Sequence, residues 1–413
     1  MFNYLLSYCK CIYWIAMIKY DYTEKYKYES LLFNVKQCGC IPIKFIQWIL
    51  PFLYILMDKK YYEYLDIFND AYENCNFHSL EYTKKIYKKN FDRELESEYK
   101  EITEIKSGSI GQIYKVIDYD DKIYALKVIH PDILMEMNII EWIVRIIVSI
   151  ININIINIHD FFTIFKKQID FINESNNLLY FYNNYIDNDD IVIPRLFKVS
   201  KDIIIMEYID GDKNITEKDS KMCMLIGIFM IDSLYNQPLN HGDLHPGNLK
   251  MMGDKIVLYD FGYCWENNRD KKVLDNLNDA TLLYFYKIDD LYKKKLLNFH
   301  EFLKMNEIEN IEYYMEDYYE RETFEEYIQF LMKIYYKNNQ TIDIFILNLI
   351  LSIVHIKKHT ENHYDIIDSY NFLKTYGKFP KYLHYIERDI RKYKLLDINE
   401  DNDFKEYDLK KFL

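Results

Sequence analysis

Apolar positions recur at helical spacing through most of the first 98 residues, so this stretch reads as a run of helices. The run is broken near Gly39-Pro42, at Pro51 and near Asn74-His78, where turn-forming residues interrupt the pattern. From Tyr99 the period changes. Glu101 to Ile105, Gln112 to Asp118 and Lys122 to Ile129 are short β-rich stretches separated by Ser107-Gly108-Ser109 and Asp120-Asp121, and they predict three strands. One long helical stretch is expected from Pro131 to about Tyr185. Ile191 to Val199 and Asp202 to Tyr208 predict two more strands, joined as a hairpin at Ser200-Lys201. Gly211-Asp212 marks a boundary, and beyond it the pattern is helical except for a compact loop region at Leu239 to Gly262. The expected organisation is a helical extension (1–98), a small mixed lobe with a helical insertion (99–210, insertion about 131–185) and a larger helical lobe (211–413). That is an α+β class with two lobes, and ligands commonly bind where two lobes meet. There is no internal repeat.

Composition bounds the function. The 413 residues are 50% hydrophobic and 17% aromatic, which supports a large core and excludes disorder as the overall class. A net charge of −13 argues against gripping nucleic acid by bulk charge, so no nucleic-acid partner is expected. Tyr, Ile, Asn and Lys are abundant in the manner of an AT-rich genome, and the stretch from Ile150 to Ile158 carries no functional weight. The seven cysteines form no regular framework, which points away from a disulfide scaffold and towards a reducing compartment. Cys9-x-Cys11 and Cys38-x-Cys40 are too closely spaced for the usual zinc ligands, and no His pair lies nearby.

Three segments are apolar enough to invite a membrane reading: residues 1–20, Ile41 to Met57 and Ile139 to Phe165. Each is interrupted by charged or strongly polar residues (Lys10; Lys44 and Gln47; Glu141, Arg145, His159 and Asp160), whereas a spanning helix needs about 20 nearly uncharged positions. Buried helices are expected instead, with peripheral membrane contact by the first segment left open. The N-terminus lacks both a small-residue cleavage site and a transit-peptide composition. The expected location is the cytoplasm or the periphery of a membrane.

The chemistry concentrates in His241-Gly-Asp243-Leu-His245-Pro-Gly-Asn248, followed by Asp260-Phe-Gly262. Phosphoryl transfer needs a carboxylate beside the attacking oxygen, plus an amide oxygen and a second carboxylate to hold Mg²⁺ on the phosphates. Asp243 fits the first role, Asn248 and Asp260 the metal roles. Tyr124-Ala-Leu-Lys127 places a lysine within an apolar strand, where a phosphate-binding lysine of a kinase sits. Upstream, Ser107-Gly108-Ser109-Ile110-Gly111-Gln112, preceded by Ile105, occupies the position of a loop that cradles phosphates with backbone N–H groups. Glu174 is the expected acidic partner of Lys127, and it shares a helix face with Asp170 at i, i+4 spacing. Glu207-Tyr208, after an apolar strand and before Gly211, is where a hinge would offer backbone groups to adenine.

Together these residues resemble the UbiB/ABC1/ADCK family of atypical kinases. The family's Lys-x-Gly-Gln motif is matched by Lys44-Phe-Ile46-Gln47, with Ile46 in place of glycine. Its Ala-rich loop is matched by Lys106-Ser-Gly-Ser-Ile-Gly-Gln112, its ExD motif by Gln168-Ile-Asp170 with Gln for Glu, and its HGDPHPGN signature with Leu244 for Pro. The resemblance covers about residues 30 to 265. It implies a protein-kinase-like two-lobed fold, a lid of Lys44, Gln47 and Asp170 over the nucleotide, and ATP (or ADP) with Mg²⁺ as cofactors. It also implies association with membrane and isoprenoid-lipid metabolism, and a lid that opposes phosphorylation of proteins in trans. The expected activity is that of an atypical kinase or ATPase. Two other readings stand beside it. One is a small-molecule phosphotransferase of the aminoglycoside or choline kinase type, which uses a similar loop but which the extension and the 47-residue gap from Lys127 to Glu174 oppose. The other is a non-catalytic scaffold that binds nucleotide or lipid through partners not identified by sequence.

Overall fold

A computed structural model describes residues 2–57, 59–72, 77–151, 157–212 and 237–266, with parts of 214–233 and 324–352 and the single residues Lys374 and Glu387. The chain divides into two units. The first comprises residues 1–215, 239–266 and 328–355, and the second residues 216–238, 267–327 and 356–413. In the second unit the described helical residues include Met222, Leu225, Ile226 and Phe229, all buried. Most of the helical lobe expected over 211–413 lies outside the described residues.

The first unit begins with three helices, α1 (Phe2–Tyr20), α2 (Lys25–Gln37) and α3 (Cys40–Leu56). The expected break between α2 and α3 falls at Gly39, whose φ of +110° only glycine adopts without strain. The break expected at Pro51 is absent: α3 runs through it. Proline forfeits one helical hydrogen bond, yet packing on either side of Pro51 carries α3 through it. Trp48, one turn earlier, stacks on Phe52 (4.9 Å between centroids) and on Phe161 (4.4 Å). Two of the four clustered cysteines meet, with Cys11 Sγ 3.7 Å from Cys38 Sγ. Short helical turns over residues 59–72, including α4 (Tyr62–Leu65), complete this part, followed by α5 (Leu80–Phe91) and α6 (Leu95–Glu98).

A five-stranded antiparallel sheet follows, built from β1 (Tyr99–Ser107), β2 (Gly111–Asp118), β3 (Ile123–Ile129), β5 (Leu196–Val199) and β6 (Ile203–Glu207) in the order β1-β2-β3-β6-β5. Side chains alternate across a strand, and β3 uses both faces. Leu126 and Val128 join Tyr114, Val116, Ile203 and Ile205 in an apolar core closed by Ile86 and Tyr87 of α5. Lys127 therefore emerges on the opposite face.

Two expectations are corrected by local chemistry. The stretch 131–185 is three helices rather than one: α7 (Ile133–Ile151), α8 (Ile158–Lys167) and α9 (Phe171–Tyr185). The side chains of Asn157 and Asp170 accept hydrogen bonds from the first N–H groups of α8 and α9, so each starts a new helix. The strand expected over Ile191–Val199 is divided, because Pro194 has no N–H for a ladder. Its first part, β4 (Ile191–Val192), pairs in parallel with β9 (Lys255–Leu258), and its second is β5. The hairpin between β5 and β6 forms as expected. The loop region contains β7 (Leu239–His241), a 3₁₀ turn (Pro246–Asn248), β8 (Leu249–Met252), β9 and β10 (Cys264–Glu266). No described helix is long and apolar enough to cross a membrane.

Candidate active site

All the residues singled out for phosphate chemistry lie in the first unit. Lys127 is 5% exposed, and its Nζ donates to Glu174 Oε1 at 2.6 Å and reaches Asp260 Oδ1 at 3.4 Å. Three elements make this meeting: β3 turns Lys127 away from the apolar core, α9 presents Glu174 one turn after its cap, and the segment after β9 carries Asp260. The lysine also sits 5.3 Å from the centre of the Phe171 ring, which covers it from α9. Burial works against its charge, but Asp260 and Glu174 hold the ammonium above its ordinary pKa. Burial pushes Glu174 up to about 7, with Lys127 the main pull in the other direction. Partial desolvation opposes the Asp260 charge, but Lys127 first and Lys44 second bring its pKa down to about 2. Glu174 Oε2 has no hydrogen-bond partner among the described residues.

Asp260 is one of four described non-glycine residues with positive φ, at +56°. Such strain persists only where surroundings enforce it. Here the Gly262 N–H donates to Asp260 Oδ1 at 3.1 Å, and Asn177 of α9 donates to the Phe261 carbonyl at 2.9 Å. The carboxylate stays 40% exposed, so a solute can reach it.

The loop after β7 is held just as tightly. Asp243 N–H donates to His241 Nδ1 at 3.2 Å, and Asn248 Nδ2 donates to the Asp243 carbonyl at 2.9 Å. With its nitrogen committed there, Asn248 presents its Oδ1 as the available donor to a cation. His241 is fully enclosed and burial pushes its pKa down to about 4, so it is a neutral acceptor that fixes the loop.

The extension reaches this loop directly. Lys44 of α3 pairs with Asp243, Nζ to Oδ2 at 2.7 Å, with only 10% and 15% of the two side chains exposed. Burial opposes the Lys44 charge, while Asp243 and Asp260 hold it above its ordinary pKa. Gln47, one turn on, donates to the Ala71 carbonyl at 2.8 Å and accepts from Ser109 Oγ at 3.1 Å, so α3 also touches the loop after β1. Trp48 and Tyr263 close the same wall, with the Trp48 indole donating to the Tyr263 hydroxyl at 3.4 Å. Lys44, Gln47, Asp243, Gln168 and Tyr263 line a cavity of about 10 Å³, room for one water.

Some expected residues do not join. Asp170 is exposed and spends its carboxylate capping α9, so it forms no part of a lid with Lys44 and Gln47. Gln112 sits on the α5 face of the sheet, opposite Lys127: paired across β2 and β3 with Val128, it points into the core, where its amide bonds His78 N–H and the Tyr114 hydroxyl. Its side chain is thus withdrawn from any phosphate. Ile105 falls at an irregularity of β1 and is 44% exposed. Ser107, Gly108, Ser109 and Gly111 form the turn from β1 to β2, closed by Gly108 N–H to the Gly111 carbonyl at 3.0 Å. Glu207 ends β6, its N–H donating to the Arg195 carbonyl at 2.8 Å, and the Tyr208 ring lies 4.8 Å from Lys115 Nζ. The direct pairing of Lys44 with Asp243 and the contributions of Trp48 and Tyr263 were not expected. The spacing Lys44, Gln47, Trp48 on one helix face was the available signal.

Comparison with known proteins identifies the family that the sequence matches. The sequence profile of the ABC1 atypical kinase-like domain matches residues 71–290. An uncharacterised aarF domain-containing protein kinase of Arabidopsis thaliana, described as chloroplastic, is 26% identical over 171 residues, covering 38% of this chain and 24% of that protein. The probable serine/threonine-protein kinase abkC of Dictyostelium discoideum is 25% identical over 246 residues, 54% of this chain and 34% of that one. This chain spans about half the length, or less, of the curated relatives it matches. Among solved structures, the complex of Rv3197 with erythromycin from Mycobacterium tuberculosis aligns with a TM-score of 0.45 at 17% identity, covering 70% of this chain and 83% of that one.

Proposed function

The chain belongs to the ABC1 atypical kinase-like family, and on that premise we propose that it binds an adenine nucleotide with Mg²⁺ and cleaves the terminal phosphoryl group, passing it to water or to a small hydroxylated acceptor. The observation that carries this reading is Lys127, held by Glu174 at 2.6 Å with Asp260 3.4 Å away. A buried ammonium fixed between two carboxylates from different elements is an anchor for phosphate oxygens, beside a metal-binding carboxylate.

The donor set fits the metal. Asp260 and the Oδ1 of Asn248 are hard oxygen donors of the kind Mg²⁺ takes, usually one or two from protein with phosphates and water completing the shell. When bound, the ion supplies neutralisation of phosphate charge. Lys127 then orients the phosphates, and the turn from β1 to β2 offers them backbone N–H groups. Asp243 orients the attacking hydroxyl and takes its proton, which requires the Lys44 pair to open. That pair and the α3 wall of Gln47 and Trp48 occupy space a large acceptor would need. This favours water or a small acceptor over a protein chain. A lipid surface is the proposed setting, supported by the exposed Ile12, Tyr13 and Ile15 of α1.

The test is Mg²⁺-dependent binding and hydrolysis of ATP by the purified chain, with and without anionic liposomes, beside Asp260→Asn. Binding and turnover that the folded variant loses are expected. Equal turnover by the variant refutes the assignment, and unchanged turnover and no flotation with liposomes refute the lipid setting.

A further inference from the structure

Two histidines, His130 buried and His78 half-buried, stand directly behind the phosphate loop and take no part in the chemistry proposed above. His130, after β3, and His78, before α5, meet through their Nδ1 atoms at 2.8 Å. On its other side His130 Nε2 lies 2.9 Å from the Gly108 carbonyl and 3.3 Å from Ser107 Oγ. On its other side His78 Nε2 contacts Thr83 Oγ1 at 2.9 Å, Thr83 contacts the Tyr114 hydroxyl at 2.8 Å, and Tyr114 receives Gln112 Nε2 at 2.7 Å. Gln112 Oε1 closes the circuit by accepting the His78 backbone N–H at 2.8 Å.

Backbone groups of fixed polarity anchor this chain at both ends, which sets every proton in it. The Gly108 carbonyl can only accept, so His130 Nε2 carries hydrogen. A neutral His130 then offers a lone pair at Nδ1, so His78 must donate from Nδ1 and accept at Nε2. Thr83 gives its one hydrogen to His78 and accepts from Tyr114, whose oxygen accepts from the Gln112 amide. At the far end Gln112 Oε1 must face a backbone N–H, which is the orientation this sequence of donors requires. The two ends agree without a frustrated contact.

A second proton on His130 would sit at Nδ1 and set N–H against N–H at the 2.8 Å contact, and one on His78 would sit at Nε2 and face the hydrogen that Thr83 donates there. The groups facing the pair are Tyr82 and Thr83 from α5, Tyr114 and Gln112 from β2, and Ser107 with Gly108 from the loop, so among the described residues no carboxylate hydrogen-bonds either ring. Burial, and then the neighbouring imidazole, push His78 down to about 4, and burial pushes His130 down against the pull of the Gly108 carbonyl.

We propose that His130, oriented through His78, is a positioning residue for the nucleotide: a neutral two-imidazole relay holds the Gly108 carbonyl back so that it cannot turn towards an anion, leaving the loop's N–H groups to face the phosphates. This rests on the reading of the β1–β2 turn as a phosphate loop. The relay couples that loop to α5 across the apolar core, and it explains why Gln112 is buried rather than at the surface of the site.

The experiment has two arms. Nitrogen-15 histidine NMR on the nucleotide-free full chain reads the tautomers: His130 as the Nε2–H form and the rarer Nδ1–H form at His78, both neutral and unchanged between pH 8 and pH 6. A reversed tautomer, or either ring charged at pH 7, overturns the relay. In the second arm, equilibrium binding of ATP with Mg²⁺ is compared in wild type, His130→Leu and His130→Gln. Loss of the donor in His130→Leu is expected to weaken binding about fivefold, the equivalent of about 1 kcal/mol. Glutamine restores a donor, and its binding is expected close to wild type. Equal affinity in all three, or equal loss in both variants, overturns the positioning role. Tautomers as stated with no ATP binding by wild type would sink the phosphate-loop reading, and the proposal with it, while leaving the relay as an element of the fold.

Discussion

Replacing Lys44 by Met removes a charge from α3 while keeping most of the side-chain stem, and it isolates the contact between the extension and Asp243. The ion pair is 2.7 Å long and its members are 10% and 15% exposed. At an effective dielectric constant of about 20, attraction at that separation is about 6 kcal/mol. Desolvating the ammonium and the carboxylate takes back several kcal/mol, leaving a net preference for the closed pair of about 2 kcal/mol. At that value only about 3% of molecules present an Asp243 carboxylate released from the lysine. If Asp243 must be released to act, Lys44→Met raises ATP turnover by up to about 30-fold. It also lowers stability by about 2 kcal/mol, because a buried carboxylate loses its partner. The assay is steady-state phosphate release with saturating Mg-ATP, alongside urea unfolding. The double variant Lys44→Met/Asp243→Asn should recover most of the stability and show no turnover. Turnover that is unchanged or reduced in a folded Lys44→Met protein would refute the reasoning, since the pair would then not restrain Asp243.

The other predictions concern how α3 is anchored and how Lys127 is held. Gly39→Ala forces a left-handed φ of +110° on alanine and puts its Cβ 2.1 Å from Glu136 Oε1; a loss of about 2–3 kcal/mol in urea unfolding is expected, and unchanged stability would contradict the docking of α3 on α7. Glu136 accepts from Ile41 N–H at 2.9 Å, and its burial pushes its pKa from 4.5 up to about 7. A raised folded value means a contribution complete below the unfolded value and lost as pH rises through about 7. Glu136→Gln should therefore flatten the stability profile between pH 4.5 and pH 7, leaving the slope due to Glu174, and an unaltered profile would count against a buried Glu136. Glu174→Gln removes the ionic partner held 2.6 Å from Lys127; ATP affinity measured by fluorescence titration is expected to fall about tenfold, about 1.4 kcal/mol, and wild-type affinity in the variant would show that Lys127 needs no such support.

The short-range parts of this molecule were legible in the chain itself. Alternation placed β1, β2, β3 and β6, and the fixed spacing of Asp243, Asn248 and Asp260 in one loop and one strand end marked them as candidates for a shared site. Both signals are local, because a strand's period and a turn's geometry depend on neighbouring residues. What lay beyond reach was whatever depends on packing between distant segments. Pro51 reads as a break, yet Trp48, Phe52 and Phe161 hold α3 through it. Gln112 adjoins the β1–β2 turn in sequence, but the pleat turns it into the α5 core, and the face a strand buries is decided by what packs on it. Asp170 carries the spacing of a lid residue and caps a helix instead. Lys44 and Asp243 lie 199 residues apart, and nothing in either local pattern specifies their contact. The sequence determined which chemical groups are present and their local frames. The tertiary structure decided which of them meet, because burial and ion pairing are settled by the whole set of neighbours that folding brings together.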